Sequence, residues 1–195
     1  MKGMHDMADD ARGDRDRILD FWFRELTPQD WFAAGTRLDP IVRDRFGALH
    51  AQALRGELDH WAEAPLGRLA LIIVLDQLSR HIHRDTAQAF AGDPRAQELA
   101  MTGIAARMDE SLSFAQRQFF YMPLMHAEDP AIQAVSVERF RSLRDFAEDL
   151  LGYATGHAEE IERFGRFPGR NAALSRKSTP AETEHIDNLR DSPRS

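Results

Sequence analysis

Apolar residues recur along most of the chain at intervals of three and four, which is the spacing of one face of an α-helix. The first such stripe contains Ile18, Leu19, Trp22 and Phe23. Helix starts are marked by a short polar residue before proline, because this pair suits the cap and the first position of a helix. Four such pairs occur: Asp39-Pro40, Asp93-Pro94, Asp129-Pro130 and Thr179-Pro180. These signals predict about eight helices, at residues 14–25, 40–55, 65–82, 94–107, 114–125, 130–150, 154–165 and 180–190.

The most apolar segment, "LALIIVL" from Leu69 to Leu75, could be read as a buried strand because it is short and contains β-branched residues. Its stripe extends on both sides, however, to Leu66 and Leu78, and the chain offers no partner strand. The segment is therefore predicted to be a central helix that is buried almost all round. The fold class expected is all-α: an irregular array of helical pairs, a solenoid or a bundle.

Length and composition narrow the picture further. The 195 residues fit one domain, placed at 14–190, between a disordered N-terminal tail at 1–13 and a C-terminal tail at 191–195. The net charge of −7 argues against nucleic acid and anionic membranes as partners, and no apolar run could cross a bilayer. Cysteine is absent, which excludes disulfides and thiolate chemistry. A cytoplasmic protein is expected, and the pattern predicts no oligomeric state.

No motif for a cofactor or a metal is found. The sequence lacks a phosphate-binding glycine loop, a nucleophile elbow and a two-histidine zinc helix. His81 and His83 are two positions apart, so on a helix they point to different sides. The prediction is therefore no cofactor and no metal.

Polar chemistry concentrates first at the end of the central helix, in "DQLSRH". Asp76 and Arg80 are four residues apart and can pair on one helix face beside Gln77. A structural ion pair and membership of a binding site both fit this arrangement.

The second concentration is "FFYMPLMHAEDPAIQ", where His126 and Glu128 fall in a turn between two predicted helices, near Tyr121. His126 could serve as a general acid or base, with Glu128 orienting it. The alternative is an imidazole bonded to a carbonyl of the turn. Asp129 is predicted to cap the helix that follows.

The third concentration is "RFGRFPGRN", with Arg163, Arg166 and Arg170. From residue 163 to residue 177 there are five basic residues and no acidic one. Gly165 is expected to end a helix, so the last two arginines would lie in a stiff turn suited to bidentate contact with a carboxylate or a phosphate. Pairs with Glu159 and Glu162 are the structural alternative for the first two arginines. Thr179 and Glu182 match a capping box at the start of the next helix.

These stretches, in this order, resemble the bacterial family designated domain of unknown function 924, whose members have an all-helical, tetratricopeptide-like fold. The likeness runs from "ILDFWF" at Ile18, through "LALIIVLDQLSR" and "FFYMPLMHAED", to "STPAE" at Ser178. Where the family usually has Asp-Gln-Phe-Pro-Arg-Asn, this chain has "DQLSRH" at 76–81. Ala127 replaces a serine of the family, and Gly169 replaces a histidine. Residues that match the polar positions of the family are Asp76, Gln77, Arg80, His126, Glu128, Asp129, Gln133, Arg163, Arg166, Arg170 and Asn171.

Three functions compete at this point. The first is binding of a small anionic molecule or a peptide carboxylate through the arginine-rich loop. The second is a hydrolase-type enzyme in which His126 and Glu128 act with an arginine clamp. The third is a structural charge network in a protein-interaction scaffold. The predicted ligand-binding residues are Asp76, Gln77, Arg80, Tyr121, Gln133, Arg163, Arg166, Arg170 and Asn171.

Overall fold

The computed structural model of the chain describes residues 13–191, and within them the fold is helical, without a strand. Helix makes up 78% of the structure, so the prediction of an all-α protein is confirmed. Contacts between Cα atoms divide the chain into two compact units, Met1–Arg141 and Ser142–Ser195. The prediction of one domain over 14–190 stays a prediction, and the two predicted tails fall almost wholly outside the described residues. Within residues 13–191, no helix is long and apolar enough to span a membrane.

The helices follow one another with short connections. Helix α1 includes residues 13–20 and continues as the π-helical segment Phe21–Glu25, and α4 comprises Pro65–Ile72, the π-helical segment Ile73–Leu78 and Ser79–Ile82. The other helices are α2 (Pro28–Ala33), α3 (Asp39–Leu54), α5 (Asp93–Ala105), α6 (Phe114–Met125), α7 (Pro130–Phe164) and α8 (Pro180–Asp191). Short 3₁₀ turns lie at Asp59–Glu63, Ala87–Phe90, Met108–Ser111 and Pro168–Arg170.

Two predictions about helix bounds were wrong. The short helix α2 was missed, and α7 runs without a break where the pattern predicted two helices, 130–150 and 154–165. Gly152 lies in the predicted gap, but one glycine in a helix costs only about 1 kcal/mol relative to alanine. It therefore does not end the helix.

The central helix α4 is the core of the first unit, as predicted. Every residue from Leu69 to Leu75 is at most 1% exposed, and so is Leu78. A helix with no exposed face needs packing on all sides, and here α3, α5, α6 and the 3₁₀ turn Asp59–Glu63 surround it. An aromatic group that includes Trp22 and Phe119, with ring centroids 5.3 Å apart, extends this core.

The aspartates before proline do not all cap helices. Asp129 does, since its Oδ1 accepts hydrogen bonds from the backbone N–H of Ala131 and of Ile132. Asp39 and Asp93 instead begin α3 and α5 without a capping bond from their side chains. Their carboxylates bind residues of the α4 region, which gives the first unit its buried polar group.

Candidate functional site

Asp76 lies at the centre of this polar group. It belongs to the π-helical segment of α4 and is fully buried, with 0% exposure. Its Oδ1 lies 2.8 Å from Nδ1 of His126 and 3.0 Å from Nη1 of Arg80, and its Oδ2 accepts from Nε2 of Gln77. The predicted pairing of Asp76 with Arg80 is therefore present, together with a contact to His126 that no local rule predicted.

The bond to Asp76 decides which nitrogen of His126 is free. A carboxylate only accepts hydrogen bonds, so Nδ1 of His126 must carry the proton. In the neutral ring Nε2 is then an acceptor, and it bonds to no residue among 13–191. His126 is therefore an oriented imidazole with an available basic nitrogen.

His126 lines a cleft of about 600 Å³ on the first unit. Arg80 lies in the wall of this cleft. Its two terminal nitrogens are each 2.9 Å from the carboxylate of Asp93, and its guanidinium carbon lies 5.5 Å from the centre of the Phe90 ring. Glu128 is exposed at the cleft and pairs with no residue of the described chain. The described lining residues are Arg80, Phe90, Asp93, Pro94, Gln97, His126 and Glu128.

A second, smaller cleft of about 260 Å³ also has Arg80 in its wall. Here Asp39 holds two residues: its Oδ1 is 2.8 Å from Nδ1 of His81, and both its oxygens bind Arg84. The hydrogen bond from Arg84 is the main reason that the pKa of Asp39 lies below its usual value. The described lining residues are Asp30, Trp31, Phe32, Ala34, Gly35, Gln77, Arg80, His81 and Arg84.

Two further predicted site residues support the turn and the core. Nε2 of Gln133 donates to the carbonyl oxygens of Met125 and Ala127, at 2.9 and 2.7 Å, and so fixes the turn that carries His126. Tyr121 is buried, and its hydroxyl donates to Asp109. Burial, together with this bond, raises the pKa of Tyr121. Gln133 and Tyr121 do not line the larger cleft as the structure describes it.

The arginine-rich loop belongs to the second unit, where Arg166 has a specific partner. Its Nε and Nη2 lie 2.6 and 2.8 Å from the two oxygens of Glu182, a residue that is 2% exposed. Glu182 also accepts from the backbone N–H of Thr179, which confirms the predicted capping box, and lies 3.4 Å from the amide of buried Asn171. The hydrogen bond from Arg166 is the main cause that lowers the pKa of Glu182 to about 2.

The other two arginines of the loop are held differently. The guanidinium carbon of Arg163 lies 4.8 Å from the ring centre of Phe164, and that of Arg170 lies 4.4 Å from the ring centre of Phe167. Neither pairs with a carboxylate among residues 13–191, so the pair of Arg163 with Glu159 that the spacing allowed is not formed. Gly165 ends α7 with a φ of 68°, as predicted.

Sequence reasoning missed Phe90, Asp93 and Gln97 in the larger cleft, and His81 with Arg84 in the smaller one. Asp93 was taken as a helix cap, and His81 was left out of the site. Their spacing from Arg80 and Asp39 could not reveal the contacts, because a distance of 13 or 42 residues along the chain carries no local pattern. Among residues 13–191, no group of three or more acidic or histidine side chains is placed to hold a metal ion.

Residues 18–189 match the family described as "Bacterial protein of unknown function (DUF924)". The chain belongs to this family. A solved structure of a protein of unknown function from Agrobacterium tumefaciens is similar to this DUF924 chain. The two are 37% identical, the match covers 91% of this chain and 99% of that protein, and the TM-score is 0.60. No curated protein matches the chain.

Proposed function

We propose that this DUF924 chain is a hydrolase-type acid–base enzyme in which His126 transfers the proton. The observation that carries the proposal is the 2.8 Å bond between Nδ1 of His126 and the fully buried Asp76, at the wall of a 600 Å³ cleft. A histidine held in this way resembles the oriented base of many hydrolytic enzymes. In this proposal Asp76, rather than Glu128, orients the imidazole.

The chemistry that this arrangement supports is addition of water to an electrophilic carbon such as a carbonyl. Nε2 of neutral His126 takes a proton from water while the water oxygen bonds to that carbon. The imidazolium then returns the proton to the leaving atom as its bond to carbon breaks, so the histidine ends as it began. Asp76 stabilises the transient positive charge, since it lies against the ring. General acid–base assistance of this kind contributes about 10²- to 10⁴-fold in rate.

A panel of chromogenic esters and amides tests the proposal. We expect hydrolysis by the parent protein, and a loss of about 10²-fold or more in kcat/KM for His126→Ala. Added imidazole should restore part of the rate to this variant because it replaces the missing base. His60→Ala is the matched control, since His60 is exposed and lies outside both clefts. Equal rates for the parent and His126→Ala across the panel would contradict the proposal.

A second candidate function, anion binding, is favoured by one observation in the second unit. Arg163 and Arg170 lie over phenylalanine rings without a carboxylate partner among residues 13–191. Guanidinium groups placed in this way can bind a phosphate or a carboxylate. Arg166 is left out of this candidate site because Glu182 already pairs with it.

Thermal unfolding with added phosphate or succinate tests this candidate. A ligand stabilises only the form that binds it, so the melting temperature should rise for the parent and less for Arg170→Ala. Arg141→Ala provides a charge-matched control, because Arg141 is exposed and lies outside the loop. Identical shifts in all three proteins would rule out a specific anion site at Arg170.

A further inference from the structure

We propose that the two clefts of the first unit together bind a short peptide with free ends. In this arrangement the ammonium group of the peptide occupies the larger cleft and its carboxylate occupies the smaller one. The inference deepens the proposed function and rests on it, since it names the substrate class on which His126 would act. It depends on the shape, the charge and the apolar surfaces of the two clefts.

The two clefts are neighbours. Arg80 lines both, so the larger cleft with His126 and the smaller cleft with His81 adjoin at one side chain. Arg80 is held firmly in place by Asp76 and Asp93, at 3.0 and 2.9 Å. The larger cleft, at about 600 Å³, falls in the range that binds small molecules, and the smaller one adds about 260 Å³ beside it, an arrangement that suits an elongated ligand.

The larger cleft is acidic. Asp93 and Glu128 line it and Asp76 lies directly behind His126, while Arg80 is the single arginine or lysine in the described wall. Arg80 already binds two of these carboxylates. Glu128 remains exposed without a partner in the described chain, so its carboxylate is available to a positive ligand. A primary ammonium group meets this requirement.

The smaller cleft offers hydrogen-bond donors to an anion. The two terminal nitrogens of Arg84 differ in their partners. Nη2 donates to Asp39 and to the carbonyl oxygen of Gly35, whereas Nη1 bonds to no described residue. Asp30 also lines this cleft, but its carboxylate is taken by the N–H of Thr27 and by Arg37. Arg84 lines the cleft and therefore keeps one guanidinium nitrogen for a carboxylate that enters it.

Each cleft presents an exposed aromatic ring. Phe90 in the larger cleft is 58% exposed and Phe32 in the smaller one is 62% exposed. An apolar ring within a cleft that also holds a few polar groups is typical of a ligand-binding site. Two such rings suit a peptide with an apolar side chain towards each end.

Calorimetric titration with the tripeptide phenylalanyl-glycyl-phenylalanine tests the inference, and mass spectrometry of the peptide reports cleavage. We expect binding by the parent, and about tenfold or greater weakening when the peptide is N-acetylated or C-amidated, because each change removes one charged contact. Glu128→Gln should weaken the uncapped peptide but leave the affinity for the N-acetylated peptide unchanged. Glu63→Gln, an exposed glutamate outside both clefts, should bind like the parent.

The possible failures are distinguishable. Absence of binding by the uncapped peptide, or equal affinities for all three peptides, overturns the inference. Hydrolysis of another substrate that depends on His126, without peptide binding, leaves the proposed function standing and overturns this inference alone. Charge-dependent peptide binding without cleavage supports the two-cleft binding site and contradicts the peptide as the substrate of His126.

Discussion

Asp76 shows how a single buried carboxylate can organise several side chains. Removal of its charge leaves Arg80 with one carboxylate partner instead of two and gives His126 a neighbour that can donate as well as accept. The loss of one partner of a buried pair costs about 3–5 kcal/mol when nothing replaces it. Asp93 remains as a partner of Arg80, so the loss of stability should be smaller than this.

We therefore expect Asp76→Asn to lower the free energy of unfolding by about 1–3 kcal/mol. In the parent, the ¹⁵N spectrum of neutral His126 should show the form protonated at Nδ1, and in the variant a mixture of the two forms. Urea unfolding measures the change in the free energy of unfolding, and NMR of the protein with ¹⁵N-labelled histidine identifies the protonated nitrogen of His126. His126 of the parent protonated at Nε2 alone would contradict the bond to Asp76.

Glu182 makes the stability of the second unit sensitive to acid. Its pKa is about 2 in the folded protein and close to 4.5 when unfolded, so between these values the unfolded chain binds more protons. Stability from this group is therefore complete above about pH 4.5 and is lost as the pH falls towards 2. Glu182→Gln should reduce the loss of stability between pH 4.5 and pH 3. Urea unfolding, followed by a probe within residues 142–191, measures this loss. Glu184→Gln, an exposed neighbour, should leave the acid dependence unchanged.

At the scale of elements, close approach of helix α4 to the preceding turn requires a glycine. A Cβ atom on Gly67 would collide with the carbonyl oxygen of Trp61, whereas one on Gly47 in α3 would meet no described atom within 4 Å apart from its chain neighbours and the nearby backbone of its own helix. Both glycines lie inside helices of the first unit.

We expect Gly67→Ala to destabilise the protein by about 1–3 kcal/mol, because overpacking outweighs the gain in helix propensity. Gly47→Ala should instead stabilise it by about 0.5–1 kcal/mol, since only the propensity changes. Chemical unfolding of the two variants provides the comparison. A stabilised Gly67→Ala would mean that the turn Asp59–Glu63 can move away from α4.

The elements and the site differ in how far the sequence predicts them. Helices with long apolar stripes, α4 above all, follow from spacing alone, because one stripe reports burial over several turns. Local rules also found the Asp76–Arg80 pair, four residues apart, and the cap at Asp129. They misread Asp39 and Asp93, because an aspartate before proline has the same appearance whether it caps its own helix or binds a distant arginine.

The bond between Asp76 and His126 shows where local reasoning stops. Both residues were predicted to belong to a site, but they are 50 positions apart, and only the packing of α6 near α4 brings them together. The contact at the smaller cleft could not be predicted locally either, since His81 binds Asp39 across 42 positions of the chain. Charge and residue type indicated where chemistry concentrates, and tertiary packing decided which groups meet.

At the scale of the whole molecule, the two units differ in their cores. The first contains the fully buried segment Leu69–Leu75 together with large aromatic side chains such as Trp22 and Phe119. Among the described residues of the second unit, the buried apolar side chains are Leu143 and Pro168. Regions with few buried apolar contacts open more readily than the core.

Amide hydrogen exchange should therefore be slowest in α4 and faster by orders of magnitude in residues 142–191. Mass spectrometry of peptic fragments after exchange provides the measurement. The segment of α7 that lies in the second unit is the sharpest comparison, because it is as helical as α4 and differs in burial. Equal protection in the two helices would show that the second unit is stabilised by more than its own core.

The π-helical segment Ile73–Leu78 makes the length of α4 as important as its side chains. A π-helical turn holds more residues than an α-helical one, and each residue of an α-helix turns the chain by about 100°. Winding the same residues as an α-helix would turn Arg80 and the residues after it away from their present direction relative to the core positions before the segment. DUF924 relatives that share the cleft are therefore expected to keep this π-helical turn, or to lose it together with one residue between Leu69 and Arg80, even where the apolar residues themselves are exchanged.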